Sequence, residues 1–111
     1  MESSSQERLA KNEAFFRQVN ERIKDIAGGF GGDRYEFLCE CADPGCTERI
    51  TLGLEAYEAV RANPTRFVLA RGHVAPEIEH VVDRGEDHVV IEKDGAAGRI
   101  AAKLDPRAAG A

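Results

Sequence analysis

The chain of 111 residues has no tryptophan, one methionine, and only five phenylalanines and two tyrosines. Its core cannot rest on large aromatic rings and has to be assembled mostly from Val, Ile, Leu and Ala. No segment approaches the roughly 18 consecutive apolar residues that a membrane-spanning helix needs, so no span is expected. There is no Lys/Arg run, and the net charge is −5 with a pI of about 5.2. Such a field repels phosphate backbones, which argues against nucleic acid as a partner. The opening residues 1–8 are polar with no apolar stretch behind them, and do not read as a secretory signal. Cysteine is scarce and odd in number, at three. That count argues against a disulfide framework and for reduced thiols, as in a cytoplasmic protein.

What is present fits one globular domain, with 42% apolar and 32% charged residues. A chain of this length buries only about two-thirds of the surface its unfolded form exposes. A crosslink would therefore add materially to a thin core.

From Gln6 to Ala27 the helical period is clear, with Ser5 suited to cap it. Leu9, Phe16 and Ile23 recur every seven residues, and Val19 and Ile26 follow the last two by three, with Asn12 in the equivalent earlier place. This a/d stripe marks the helix, residues 1–27, as a candidate docking surface for a protein partner or a second copy. Its alternative role is to cover the domain's own sheet. Asn12 in the seam would weaken association while fixing its register. Gly28-Gly29-Phe30-Gly31-Gly32 ends the helix, and residues 28–33 read as a hinge. No Lys-Ser/Thr follows these glycines, so a phosphate loop is not expected.

Residues 34–104 then read as an α+β unit. Tyr35 to Cys41 alternates, with Tyr35, Phe37, Cys39 and Cys41 on one face and Glu36 and Glu40 on the other. Asp43-Pro44-Gly45 is a tight turn, and Glu48 to Leu52 is the return strand. Leu54 to Asn63 reads as a helix, Arg66 to Ala70 as a third strand, and Arg71-Gly72-His73 as a loop. Ile78–Asp83 and His88–Lys93 form a hairpin, Ala96–Lys103 a short helix, and residues 105–111 a disordered tail. His80 and His88 could face each other across that hairpin, although two independent strand histidines are the plainer reading. The many carboxylates, Glu36, Glu40, Glu48, Glu55, Glu58, Glu77, Glu79, Glu86 and Asp87 among them, single out no acid–base pair and read mostly as surface groups.

The densest chemistry lies in Cys39-Glu40-Cys41-Ala42-Asp43-Pro44-Gly45-Cys46. Strand residues two apart project the same way, so Cys39 and Cys41 point together, and the turn returns Cys46 toward them. Three thiols provide three corners of the tetrahedron a structural zinc requires. His73, in the loop after the third strand, is the leading candidate for the fourth corner. His80, His88, a water or a carboxylate are the alternatives. The spacing matches no standard finger or ribbon. Inert buried thiols and a reactive redox group are the competing readings. An iron–sulfur cluster usually takes four thiolates, and only three are present.

The order of these motifs resembles a group of small bacterial proteins and appended domains of uncharacterised function. The resemblance is carried by residues 12–23, the cysteine segment, Tyr57-Glu58-Ala59-Val60-Arg61, Gly72-His73 and Val89-Val90-Ile91-Glu92-Lys93, and it covers nearly the whole chain. It implies a pairing of His73 with the cysteines and supplies no activity.

Taken together, the residues predict an α+β fold: a small antiparallel sheet with a zinc knuckle, a long N-terminal helix and one or two short helices. The expected function is a non-catalytic interaction or regulatory module stapled by zinc at Cys39, Cys41, Cys46 and His73. A thiolate-based redox or metal sensor, or a small zinc enzyme with an open water position, are the alternatives.

Overall fold

A computed structural model describes residues 2–27 and 34–109, and it is a mixed α+β globule. Helix α1 runs Glu2–Ala27, followed by β1 (Arg34–Leu38), β2 (Arg49–Gly53), α2 (Leu54–Arg61), β3 (Arg66–Ala70), β4 (Glu79–Arg84), β5 (His88–Lys93), α3 (Gly95–Lys103) and α4 (Pro106–Ala109). The helix begins earlier than its capping signal, and Ser5 lies within α1. Residues 28–33, where the sequence reads as a hinge, lie outside the described residues. No helix among the described residues is long and apolar enough to cross a membrane.

The strands form two antiparallel sheets where the sequence reads as one. β1 and β2 make a two-stranded sheet with Phe37 opposite Ile50, and β3, β5 and β4 make a three-stranded sheet in that spatial order. Alternation accounts for the first pair: Phe37, Ile50 and Leu52 turn inward and are buried. In β3 and β5 the central residues are buried on both faces, which suits their continuous Val, Ile, Leu and Phe content. The β4–β5 hairpin carries a bulge between Val81 and Asp83. It places His80 opposite Glu92 and Arg84 opposite Val89, so His80 and His88 sit at opposite ends and do not face each other.

The main core packs Phe37, Ile50, Leu52, Tyr57, Phe67, Leu69 and Ile91 between the sheets and helices. Phe37 stacks on Tyr57 with ring centroids 4.4 Å apart. The segment expected as a disordered tail is ordered through Ala109. Asp105 is buried against Arg61, and Arg107 binds Glu21 and Glu58. Composition hid this, because the segment's contribution is ionic and needs partners far away in sequence.

The face that α1 buries is not the apolar stripe alone. Phe16 is buried, and Leu9, Val19 and Ile23 are half-buried, whereas Ile26 is 61% exposed. The fully covered line is Ala10, Glu13, Arg17 and Asn20, each with 0% exposure. Polar residues occupy the centre of the contact because each meets a partner there. Arg17 donates to the carbonyls of Pro64 and Ala101, both at 2.7 Å, and lies over the Phe67 ring at 4.4 Å. Glu13 contacts the Lys93 ammonium, which also donates to Glu79 at 2.6 Å, and all three side chains are fully buried.

Candidate metal centre

The cysteine segment begins where β1 leaves its sheet. The alternation predicts a strand through Cys41, yet the ladder ends at Leu38. Cys39 N–H still donates to Glu48 O at 3.0 Å, and the next amide, Glu40 N–H, donates instead to Val68 O at 2.9 Å. The chain thus crosses from β2 to the free edge of β3 within two residues. Edge strands leave a row of unpaired backbone groups, and this crossing satisfies them. The Glu40 carboxylate accepts Val68 N–H at 3.0 Å, and Cys39 Sγ accepts Ala70 N–H at 3.1 Å. Glu40 is buried rather than solvated, as is Glu79.

The turn then returns the third thiol. Asp43 Oδ1 accepts Gly45 N–H at 2.9 Å, and Asp43 O accepts Cys46 N–H at 3.1 Å. Asp43 therefore closes the loop twice, as the Asp-Pro-Gly signal implies. His73 is placed by the end of β3. Gly72 takes φ +81°, a conformation suited to glycine, and His73 N–H donates to Ala70 O at 3.2 Å. One peptide neighbourhood, at Ala70, thus orients both Cys39 and His73.

The result is that Cys39, Cys41, Cys46 and His73 present ligand atoms all within 4.8 Å of one another. His73 Nδ1 stands 3.6 Å from both Cys39 Sγ and Cys46 Sγ. A tetrahedron with a Zn–S bond of about 2.3 Å and a Zn–N bond of about 2.0 Å has S···N edges of roughly 3.5 Å. The observed spacing fits that edge, so the donor set suits a four-coordinate ion. Cys39 and Cys41 are buried and unpaired by disulfide, while Cys46 and His73 are half-buried. Burial pushes the Cys39 thiol far above its ordinary range; Ala70 N–H opposes this, and Cys41 and Cys46 add to it. Burial raises Cys41 as well. Left alone, Cys39 and Cys41 keep their protons, and a cation beside them would take the protons' place.

His80 and His88 lie apart from this group. His80 Nδ1 pairs with Asp94 at 2.8 Å, and His88 Nδ1 with Asp87 at 3.4 Å. A cleft of about 510 Å³ adjoins the centre, lined by Leu9, Cys41, Ala42, Pro44, His73 and Val74 among others.

Sequence reasoning missed the groups that surround the ligands. Asn20 Oδ1 accepts Leu38 N–H at 2.8 Å, and its Nδ2 donates to Leu38 O and to Glu40 Oε2, both at 2.8 Å. Asn12 Nδ2 donates to Ala42 O at 3.1 Å. The available signal was a line of polar residues on α1, at positions 13, 17 and 20, beside the apolar stripe.

No family model matches the chain, and no curated protein or solved structure shows significant similarity to it. The resemblance to small bacterial domains gains no support from these comparisons. What stands is the convergence of the three cysteines with His73, consistent with a metal-binding group.

Proposed function

We propose that this protein is a non-catalytic interaction or regulatory module in which one zinc ion, held by Cys39, Cys41, Cys46 and His73, staples the β1–β2 hairpin to the end of β3. The observation that carries this reading is the mutual approach of four soft and borderline donors from two separate segments, the cysteine turn and the loop after β3. Zinc is favoured over an iron–sulfur cluster because three thiolates and one imidazole form a closed tetrahedral set, whereas clusters are usually held by four thiolates. Buried reduced thiols suit the cytoplasm. The net charge of −5 disfavours nucleic acid, so the partner is a protein or a second copy of the chain. It would meet the open part of the α1 stripe of Leu9, Phe16, Val19, Ile23 and Ile26, of which the chain itself buries Phe16 and half-buries Leu9, Val19 and Ile23. Ile26 and the adjoining Phe15, each 61% exposed, are the parts most open to it.

Elemental analysis of protein purified without added metal tests the assignment. One zinc per chain is expected, with loss of stoichiometric binding in Cys39→Ser and weakened binding in His73→Ala. Metal-free protein with ordinary stability would overturn it.

A second reading, a thiolate-based sensor, is favoured by one feature. Cys46 and His73 are only half-buried, and the adjoining cleft reaches Cys41. Oxidation of the thiolates would then release the ion. Zinc release under mild peroxide, followed with a chromogenic chelator, supports the sensor; retention of zinc under the same treatment leaves only the structural staple.

A further inference from the structure

The ligand-bearing segment is gripped from two sides by groups that are not ligands. On one side is α1. The Asn20 side-chain amide pairs with the Leu38 peptide through both its N–H and its C=O, and its remaining proton goes to Glu40 Oε2. Asn12 holds Ala42 O. On the other side is the edge of β3, where Val68 exchanges hydrogen bonds with both the backbone and the carboxylate of Glu40. Residues 38–42 are therefore fixed at their two ends and in the middle, and Cys39 and Cys41 flank the middle point. Asn20 and Glu40 are both completely buried, so neither grip is shared with water.

We infer that Asn20 and Glu40 are positioning residues of the metal centre, and that docking of α1 thereby sets the affinity of the site for its ion. This rests on the zinc reading above and adds to it a route of regulation. The hydrogen bonds involve no ligand atom, so they hold the Cys39–Cys41 spacing before an ion arrives. A preorganised ligand set loses less conformational freedom on binding than a slack one. Groups that orient metal ligands from outside the coordination sphere typically change affinity by about tenfold to a hundredfold when removed. The coupling is reciprocal: bound metal tightens α1 against the knuckle, and a partner that draws α1 away weakens the hold on metal by the same factor. The rest of α1 stays anchored through Glu13, Arg17 and Glu21, so loss of the ion loosens the knuckle first and leaves the helix on its remaining contacts.

The test is a competition titration with a chromogenic zinc chelator on the full chain, Asn20→Ala and Val60→Ala. Val60 is buried in α2, an element that carries none of the four ligands, so its truncation is a control for general loss of stability. The expected result is a tenfold to hundredfold weaker zinc affinity in Asn20→Ala only, with a shifted cobalt(II) absorption spectrum. Equal affinity in Asn20→Ala and the parent, or equal weakening in both variants, overturns the inference while leaving the site intact. Failure of the parent to bind zinc at all is instead the failure of the zinc reading. If Asn20→Ala does not fold, amide exchange on the metal-free parent decides. Protection retained at the Leu38 and Glu40 amides supports preorganisation, and free exchange at both refutes it.

Discussion

Two regions of this molecule bury polar groups, and they do so in opposite ways. At the knuckle, Cys39, Cys41, Cys46 and His73 bring four ligand atoms within 4.8 Å of one another, a donor set that on the zinc reading would be completed by an ion from outside. Along α1, Glu13 meets Lys93, which also binds Glu79, and Glu21 meets Arg107 and Arg61, which also binds Asp105, so the protein supplies both signs of charge itself. On the zinc reading the first region would draw stability from an association, which varies with metal concentration. The second carries its compensation within the chain, and its weak point is the removal of one partner.

The largest effect should come from taking the ion away. A ligand present at a thousandfold over its Kd contributes about 4 kcal/mol to folding stability. Chelation, or Cys39→Ser, should lower the urea midpoint by an amount of that order, and excess zinc should restore the parent but not the variant. A parent midpoint insensitive to chelator would erase the contrast between the two regions. Removing one charge from the seam comes next. Lys93→Ala leaves Glu13 and Glu79 buried with no cation between them, a defect that typically costs about 3–5 kcal/mol. Urea unfolding of the zinc-loaded proteins should show this loss at any chelator concentration, since the seam needs no metal. A loss under about 1 kcal/mol would mean that the seam is not desolvated as described.

A third measurement sharpens the seam by pH. Burial raises Glu79 from its ordinary 4.5 to about 7, with the Ala75 amide opposing and Glu77 and Asp94 adding. The folded protein thus holds that proton more tightly than the unfolded chain. Its stabilising contribution is full below pH 4.5 and is lost as pH rises through about 7. Lys93, lowered by burial from 10.5 to about 7, has the opposite sign, its contribution being lost as pH falls through about 7. Relative to Glu79→Gln, the parent should lose stability between pH 4.5 and 7; a constant difference across that range would exclude the shift.

The smallest effect belongs to the exposed helix face. Ile26→Ser should change stability by less than about 0.5 kcal/mol, because the side chain is already in water. If α1 is the docking surface, the same change shifts the mass measured by size-exclusion with light scattering from dimer to monomer, or abolishes a partner-dependent shift.

The cysteine cluster was legible because its logic is local. The alternation read in the sequence puts Cys39 and Cys41 on one side, although the strand itself ends at Leu38, and a Pro-Gly turn reverses the chain within eight residues. His73 needed more, since its place depends on β3 running beside the knuckle, but a histidine after a glycine at a strand end was enough to single it out. The seam was not legible. Glu13, Arg17 and Lys93 have the sequence signature of solvated surface residues, and only partners 80 or so positions away make their burial tolerable. Hydropathy marked the stripe of α1 without telling which of its residues the chain covers itself, and the neighbours present decided that Phe16 is buried and Ile26 exposed.

The sequence by itself determined the α+β class, the run of strands and helices, the knuckle turn and the clustering of the three cysteines, because each follows from backbone periodicity or turn chemistry acting over a few residues, whereas the place of His73 beside them came from the packing of β3. Only the tertiary structure decided that there are two sheets, that the chain switches partners between Cys39 and Glu40, and which polar side chains are covered. Those outcomes depend on which donors and acceptors meet across long separations, and a buried charge or amide is stable only where its partner has already been brought to it.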